Sequence, residues 1–372
     1  MKRLFLSLLA LFFMPSSAAL ACSNIFINQP SMHIDARTMD FGMNVGMEDC
    51  FGFIGQKNTT DVIIDATNIP ASKLATWTNR YGYWSRQGFR SGKAIEGMNT
   101  AGFAFGALYL DTVTKYPAYD VDDKRPALAV FDMGNFLLGT AASVDEAVGL
   151  LSSNQIVQSA VEIKSGVFLR NVPLHFTLRD ASGDSAVVEF VGGKMQVYHP
   201  ASNVLTNGPG YPEQLALVKK FDGIDARKDN GALNGMPGGQ SSTDRFARAS
   251  ALLRNLPVPA TRAEALYQAD YVLSSLVAPF FALSGSGCES NTLWKALKDL
   301  DAKVVYTYNL LYFQGGGKIA PTSIANGYTV IDLNTIDFNY TPPEYAESTI
   351  QPTPPEHVKK IVLAKDIPEF GE

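Results

Sequence analysis

Residues 19–40 have the sequence ALACSNIFINQPSMHIDARTMD, and the order of residue types in this stretch decides how the fold begins. Two runs rich in apolar residues, 23–28 and 33–40, flank a short polar segment that contains Pro30. A proline-containing break between two such runs is typical of a β-hairpin. The sequence therefore predicts that the chain opens with two antiparallel strands.

The register of this hairpin places Cys22 beside charged side chains. With the turn centred near residues 30–31, Cys22 lies opposite Met39 on the second strand. Arg37 and Asp40 then flank the cysteine, which brings a cation and an anion to its thiol. An exposed ion pair on a surface hairpin is the alternative interpretation.

The first 21 residues have the pattern of an export signal. Lys2 and Arg3 precede an apolar run over residues 4–14, and a small-x-small cleavage site follows at residues 19–21. The run is shorter than the roughly 20 residues of a membrane-spanning helix. We expect residues 1–21 to be removed and the mature protein to be exported and soluble, without stable membrane insertion.

Cleavage at this site makes Cys22 the first residue of the mature chain, with a free α-amine beside its thiol. One residue then carries both a nucleophile and a base, which is the logic of hydrolases with an N-terminal nucleophile. Two other interpretations stay open. In the first, Cys22 is the lipidated residue of a lipoprotein, although such sites prefer Leu where this chain has Ala19. In the second, Cys22 is an ordinary structural cysteine. An intact mass distinguishes the three.

Composition favours a single enzyme-sized domain over residues 22–372. A hydrophobic content of 46% and a charged content of 18% are ordinary for a folded protein. The formal net charge of −5 and the lack of a Lys/Arg run argue against a nucleic-acid partner. The histidines have no metal-ligand spacing and no glycine-rich phosphate loop is present, so neither a metal nor a cofactor is expected. Residues 342–355 are proline-rich and predict an extended C-terminal segment.

Cys50 and Cys288 are the remaining cysteines. An exported protein can pair them as a disulfide, but the sequence does not give their separation, and two buried thiols are an equal alternative. A Cys–His dyad through His175 is formally open because such partners need not be close in sequence. A strand histidine is the preferred interpretation.

Hydrophobic periodicity predicts a mixture of strands and helices. Further strands are expected at residues 51–56, 93–96, 103–110, 175–179, 185–190, 195–198, 303–311 and 328–333. Helices are expected at residues 127–138, 144–151, 241–255 and 262–273. Ser143 and the pair Ser241 and Ser242 are the candidate N-caps.

Several separated segments together resemble the choloylglycine hydrolase and penicillin V acylase family, within the N-terminal-nucleophile superfamily. Each motif is short, but their order along the chain, starting at a cleavable cysteine, is specific. The segments are CS (22–23), ARTMD (36–40), EGMN (96–99) with Gly102, LY (108–109), PLH (173–175), VLTNGP (204–209) and SSTDRF (241–246). The resemblance extends over nearly all of the mature chain.

The resemblance implies an α+β fold of four layers, αββα, with two antiparallel sheets between helices. It also implies that Cys22 is the nucleophile, with Arg37, Asp40 and Arg245 around it. Nearby cations lower the pKa of a thiol, which is otherwise near 8.5. The α-amine can accept the thiol proton, and Asp40 can hold that amine through a charged hydrogen bond.

The resemblance further implies two donors for the oxyanion. They are the Asn207 side chain and the Tyr109 backbone N–H. Phe41 and Tyr109 are expected to form an aromatic wall for the acyl group. A second aromatic group consists of Trp77, Tyr81 and Trp84. These residues are predicted either to form a lid over the site or to pack in the core.

The expected substrate is a small linear amide. Tyr109 favours penicillin V acylase-like activity, because many bile salt hydrolases have Asn there. Conjugated bile salts and N-acyl homoserine lactones are alternatives, the latter because an export signal before Cys22 resembles the Gram-negative branch, which also implies a periplasmic location. Relatives are often tetramers, which implies a homo-oligomer. A hypothesis of another class is a non-catalytic, periplasmic or lipid-anchored binding protein.

Overall fold

Two large antiparallel sheets form the centre of the computed structural model. The structure describes residues 22–41, 48–60, 69–88, 91–164, 167–170, 172–228, 233–278, 291–313, 319–321, 327–339, 351–352 and 361–362. Strands are numbered in chain order. The first sheet has the order β16 (Val204–Leu205), β1 (Ser23–Gln29), β2 (Met32–Phe41), β17 (Asn291–Asp299), β18 (Val304–Asn309), β21 (Thr329–Asp332), β23 (Ile361–Val362). The second has the order β15 (Lys194–Tyr198), β14 (Ser185–Val191), β13 (Leu174–Arg179), β8 (Ala104–Tyr109), β7 (Lys93–Asn99), β6 (Tyr83–Gly88), β3 (Asp49–Gly52), β22 (Gln351–Pro352).

Smaller elements complete the described chain. Strand pairs are β4 (Lys57–Thr59) with β5 (Thr76–Thr78), β9 (Ala127–Ala129) with β10 (Gln155–Val157), β11 (Ala160–Lys164) with β12 (Val167–Arg170), and β19 (Leu311–Phe313) with β20 (Ile319–Pro321). The α-helices are α1 (Met133–Thr140), α2 (Val144–Ser152), α3 (Tyr211–Val218), α4 (Ser242–Asn255) and α5 (Arg262–Leu276). Short 3₁₀ turns span Ala71–Lys73, Val130–Asp132, Lys219–Phe221 and Leu333–Thr335.

Helices cover the outer faces of both sheets. α1 and α2 pack on the second sheet, in an apolar core that includes Phe105 and Phe176. α4 and α5 pack on the first sheet around Ile25 and Ile34. A third core, which includes Trp294, lies between the two sheets. The four-layer αββα fold is thus confirmed.

β1 and β2 form the predicted hairpin with the predicted register. Ser23 pairs with Thr38, so Cys22, one residue earlier, lies opposite Met39. Successive side chains of a strand point to opposite faces of the sheet. Cys22 and Met39 therefore pack between the sheets, whereas Ile25 faces the helices.

The structure corrects several predictions of secondary structure. The strand expected at residues 51–56 begins at Asp49 and ends at Gly52. Residues 127–138 do not form one helix, since β9 and a 3₁₀ turn come first and α1 begins only at Met133. Periodicity alone does not separate a short buried strand from a buried helix. The central strand β17 is not among the predicted strands, because Lys295 and Lys298 interrupt its apolar pattern. Both lysines are buried and paired with carboxylates.

Some predictions fall on residues that the structure leaves out. Residues 1–21 and Cys288 lie outside the described residues, as does most of the proline-rich segment 342–355, of which only residues 351–352 are described as β22. Cys50 is buried and carries a free thiol. Within the described chain, every helix is too short or too polar to cross a membrane.

Candidate active site

Cys22 lies at the open end of the β1–β2 hairpin and is buried. Its Sγ is 3.7 Å from Nη2 of Arg37 and 3.5 Å from Sδ of Met39. The main-chain carbonyl oxygen of Asp40 is 3.9 Å from the same sulfur. The structure therefore places the Arg37 guanidinium and the main chain of Asp40 beside the thiol.

The Arg37 guanidinium is fixed between the two sheets. Its Nη1 donates to the Ile95 carbonyl at 2.6 Å and to Oε2 of Glu96 at 2.9 Å, and its Nη2 also donates to the Ala107 carbonyl. A Cβ on Gly106 would approach Oε2 of Glu96 to 3.2 Å, so the glycine leaves room for this ion pair. The guanidinium is thus held against the sulfur by groups of the opposite sheet.

Asp40 lies on the other face of β2 and is fully buried. Burial raises the pKa of its carboxyl to about 7, and the charges of Arg245 and Arg37 and the hydroxyls of Thr292 and Thr38 offset only part of the rise. Neither carboxylate oxygen makes a hydrogen bond of good geometry to another described residue. Asp40 therefore has capacity for one further donor.

The stability of a chain in which the Cys22 amine is blocked should depend on Asp40. The folded-state pKa of about 7 lies above the value of about 3.9 in an unfolded chain, so the folded state binds this proton more tightly. The resulting stabilisation is complete below about pH 4 and is lost as the pH rises through about 7. Denaturant unfolding at several pH values in this window measures the loss.

Asp40→Asn is the matched variant for this measurement, because it removes the titration and keeps the shape. The difference in unfolding free energy between the two proteins should change across the window. A difference that stays constant with pH would show that Asp40 titrates at its ordinary value.

Arg245 reaches the site from the first turn of α4. Its Nη1 donates to the Cys22 carbonyl and to Oγ of Ser23, each at 2.6 Å, and its Nη2 donates to Oδ1 of Asn207 at 2.8 Å. The predicted cap Ser241 accepts the N–H of Asp244 at 3.1 Å and starts the helix there. Burial lowers the pKa of Arg245, and Asp40 and Cys22 oppose that effect. These contacts offset the cost of an arginine at a helix N-terminus.

Asn207 and Tyr109, the expected oxyanion donors, contact each other. Nδ2 of Asn207 donates to the Tyr109 carbonyl at 2.8 Å, and one of its two hydrogens is left for a ligand. The backbone N–H of Asn207 donates to Oγ of Ser242 at 2.9 Å. Both expected donor residues therefore lie at one edge of the site.

The direction of the Tyr109 N–H follows from the ladder of β8 and β13. Leu110 donates to the Pro173 carbonyl at 2.9 Å, and hydrogen-bonded pairs alternate along an antiparallel ladder. Tyr109 therefore faces away from β13, as does Ala107, whose carbonyl accepts from Arg37. The pairing of β7 with β8 ends at Gly106, so the Tyr109 N–H faces the open edge beside the guanidinium.

A small apolar cleft, partly open to solvent, begins at Cys22. Phe41 and Tyr109, the expected aromatic wall, both line it. Other apolar residues that line the cleft include Ile95, Phe131, Val172 and Leu174. Lys93 also lines it, but its Nζ is paired with Asp132 at 2.6 Å. The cleft thus suits an uncharged apolar group next to the thiol.

The aromatic residues suggested as a lid lie elsewhere. Trp84 is fully buried between the sheets, and Trp77 packs edge-on against Phe136 with centroids 5.4 Å apart. Tyr81 lies under the Arg80 guanidinium at 5.3 Å. Core and surface packing account for them, and a lid does not.

His175 supports the loop that carries Asn207. Its Nε2 is 2.7 Å from the Thr206 carbonyl and its Nδ1 is 3.1 Å from Oε1 of Glu189, so both ring nitrogens are occupied. The same carboxylate oxygen accepts the N–H of Tyr211 at 2.8 Å. His175 is therefore a structural residue and not the partner of a Cys–His dyad.

One group of side chains in the described chain has the spacing of metal ligands. Asp145, Asp184 and His199 offer atoms within 4.8 Å of one another. Nε2 of His199 is 2.8 Å from Oδ2 of Asp184, and this ion pair explains the grouping. None of the three lines the cleft at Cys22.

Comparison with known proteins gives a consistent result. Residues 22–312 match the family model for linear amide C–N hydrolases of the choloylglycine hydrolase family, and the match begins at Cys22. A penicillin V acylase of Pectobacterium atrosepticum is 30% identical over 264 residues, which is 68% of this chain and 64%, slightly under two thirds, of that relative. A bile salt hydrolase/transferase of Clostridium perfringens is 26% identical over 172 residues, 42% of this chain and 51% of the relative.

Solved structures agree at the level of the fold. The penicillin V acylase of Agrobacterium tumefaciens superposes with a TM-score of 0.68 at 26% identity, and the superposition covers 85% of this chain and 87% of that one. A variant of the conjugated bile acid hydrolase of Clostridium perfringens also gives a TM-score of 0.68, at 18% identity, and covers 91% of this chain and 97% of its own. At that identity the second likeness concerns the fold alone.

Proposed function

Since this chain belongs to the choloylglycine hydrolase family of linear amide C–N hydrolases, we propose that it cleaves a linear amide with Cys22 as an N-terminal nucleophile. One observation carries the proposal. The Cys22 thiol is in contact with the fixed Arg37 guanidinium and lies at the base of an apolar cleft. An electropositive surrounding is what a reactive cysteine requires.

Activation of the thiol uses groups already at the site. An α-amine has an unperturbed pKa near 8 and can accept the proton of the thiol once residue 22 is N-terminal. Among the described residues, no donor makes a hydrogen bond of good geometry to the Asp40 carboxylate, and it would pair with the ammonium that forms. Nη2 of Arg37, 3.7 Å from Sγ, stabilises the thiolate.

The thiolate attacks the amide carbonyl, and the negative charge moves to the carbonyl oxygen. The Nδ2 group of Asn207 and the N–H of Tyr109 donate to this oxygen, and one such donor is worth about 3 kcal/mol. Arg245 binds Oδ1 of Asn207 at 2.8 Å, which orients the opposite end of the carboxamide. The α-ammonium returns the proton to the leaving amine, and water then hydrolyses the thioester with the amine as base.

Asn207→Ala should lower kcat by about 10²- to 10³-fold, because it removes an oxyanion donor that acts in the transition state. KM should change much less, since the cleft residues are untouched. Steady-state kinetics on the best substrate measures both. Asn334→Ala, on the surface, is the control. An unchanged kcat in Asn207→Ala would remove this residue from the mechanism.

The preferred substrate is proposed to be penicillin V-like, with an aryl acyl group on the amide. Phe41 and Tyr109 line the cleft together with aliphatic side chains, and an aromatic acyl group packs well on such a surface. The relative from Pectobacterium atrosepticum is named a penicillin V acylase. Bile salts and N-acyl homoserine lactones are the other linear amides considered.

A panel of amides tests the proposed substrate. Processed protein, with an intact mass that confirms a free N-terminal Cys22, is given penicillin V, a glycine-conjugated bile salt, a long-chain N-acyl homoserine lactone and a fatty acyl amide. The highest kcat/KM is expected for penicillin V. A higher value for another member would reassign the subclass, and no turnover of any member would favour a non-catalytic binding protein.

We also propose that the protein is exported to the periplasm after removal of residues 1–21. The predicted cleavage site lies directly before Cys22, where the family match begins. Fractionation of the producing cell and N-terminal sequencing test this, and recovery of the intact chain in the cytoplasm would contradict it.

A further inference from the structure

We propose that Glu96 is a positioning residue that holds Arg37 at Cys22 and balances its charge, so that a buried network of four charges sets how readily the thiol ionises. The inference rests on the proposed function, because it concerns the nucleophile of that reaction. The network consists of Asp35, Lys298, Glu96 and Arg37. It lies between the two sheets, and Arg37 is the member that reaches the cleft.

Glu96 is the member from the second sheet, and the other three come from the first. Its Oε2 is 2.9 Å from Nη1 of Arg37, and its Oε1 contacts Nζ of Lys298. Nζ of Lys298 is also 2.6 Å from Oδ2 of Asp35, and Oδ1 of that carboxylate accepts from Asn24 at 2.7 Å. One carboxylate thus joins two cations across the interface of the sheets.

All four side chains are buried: their residues have an exposure of 0%. Removal of one member of a buried ion pair leaves an uncompensated charge, which is costly. Gly106 leaves space beside Oε2 of Glu96, so the pair sits directly against β8. The site is therefore built to hold the carboxylate against the guanidinium.

The two carboxylates and two cations sum to zero. Arg37 is consequently not an isolated cation beside the sulfur, because Glu96 compensates part of its field. Arg245 and Asp40 also lie near Cys22, and Lys93 lines the cleft but pairs with Asp132. Arg86 on β6 is opposite Glu96 but pairs with Asp49 at 3.2 Å. The buried Arg179 on β13 interacts electrostatically with Asp35 and is unchanged in the variants below. Neutralising Glu96 would leave the network with one net positive charge, and Arg37 of that network contacts the thiol.

Glu96→Gln is the first test. It keeps an oxygen that can accept from Arg37 but removes the charge. The pH midpoint for alkylation of Cys22 by iodoacetamide, followed by peptide mapping of processed protein, should fall by about one pH unit. The kcat for the best amide should fall as well, because the guanidinium is held less firmly. A midpoint that is unchanged or higher would overturn the inference.

Lys298→Met gives an independent test with the opposite sign. The network then carries one net negative charge, and the midpoint should rise. The double variant Glu96→Gln with Lys298→Met is neutral again and should return towards the wild-type midpoint. A residue that is only structural would not give shifts of opposite sign that cancel. If Glu96→Gln fails to fold, an unchanged or lower midpoint in Lys298→Met overturns the inference.

Asp270→Asn is the matched control. Asp270 on α5 pairs with Lys295, which lies on β17, as Lys298 does. Lys295 and Lys298 are three residues apart and point to opposite faces of the sheet. The midpoint should stay at the wild-type value in this variant. Alkylation needs no amide substrate, so the two proposals can fail separately. Loss of the midpoint shifts in an active enzyme rejects only the role of Glu96, and an inactive enzyme that shows them rejects only the hydrolase.

Discussion

Cys22→Ala should abolish amide hydrolysis and lower kcat/KM by at least about 10⁴-fold, because no other group at the site can form the acyl-enzyme. The thiol is the nucleophile that lies beside a fixed cation, since Nη2 of Arg37 is 3.7 Å from its sulfur. Removal of the sulfur leaves the rest of the buried core in place. The assay is turnover of the preferred amide by wild-type and variant protein, with unfolding curves to confirm that both are folded.

Cys50→Ala is the matched control for this experiment. Cys50 is also a buried free thiol, but burial and the neighbouring Asp49 and Glu48 raise its pKa to about 12. A thiol that stays protonated is a poor nucleophile, so this variant should keep wild-type turnover. Substantial activity in Cys22→Ala, or its loss in Cys50→Ala alone, would move the nucleophile away from residue 22.

A blocked α-amine should be nearly as damaging as loss of the thiol. A chain that retains one glycine before Cys22 has an amide in place of the general base, and such a base contributes about 10²- to 10⁴-fold. Asp40 would also lose the ammonium with which we propose that it pairs. We expect a loss of this size in kcat for the extended chain, compared with a chain that begins at Cys22.

Alkylation shows whether an inactive extended chain has lost its reactive thiol or only its general base. Iodoacetamide should still modify Cys22 in the extended chain at alkaline pH, because the thiol and Arg37 remain. An extended chain with wild-type kcat would mean that another group takes the thiol proton, and Asp40 would be the first to examine by substitution.

The sequence predicts the hairpin well because two independent rules agree there. Side chains of a strand alternate, and the turn near Pro30 fixes the register, so the position of Cys22 opposite Met39 follows from local sequence. Arg37 and Asp40 lie on opposite faces of β2, and both still reach the site because Cys22 is at the strand end. The pairing of these residues on the hairpin needs no tertiary information, whereas the orientation of the Arg37 guanidinium depends on the opposite sheet.

The rest of the site depends on contacts between distant segments. Arg245 and Asn207 are 38 residues apart and meet at 2.8 Å, which only the family resemblance indicated. The bond from Nδ2 of Asn207 to the Tyr109 carbonyl was not foreseen. Cleft residues such as Phe131 and Leu174 look like ordinary core positions in the sequence, because their exposure at one end of a sheet depends on packing.

The buried charges are the feature that the sequence indicates least. Lys298 has the residue type of a solvent-exposed position, so the sequence pattern does not predict strand β17. Lys93 lies on the same strand β7 as Glu96, but it is three residues away, on the opposite face, and pairs with Asp132. The strand itself therefore does not mark Glu96 as part of a network. Its partners come from the other sheet, and the pairing is visible only after the two sheets are stacked.

The most direct test of the account is to trap the acyl-enzyme. Processed protein is mixed with excess penicillin V, stopped in acid during turnover, and digested for peptide mass mapping. The account predicts a thioester carrying the acyl group on the peptide that begins with Cys22, and no such adduct in Cys22→Ala. Turnover of the amide with this peptide unmodified, or with residues of the leader still attached to Cys22, would contradict it.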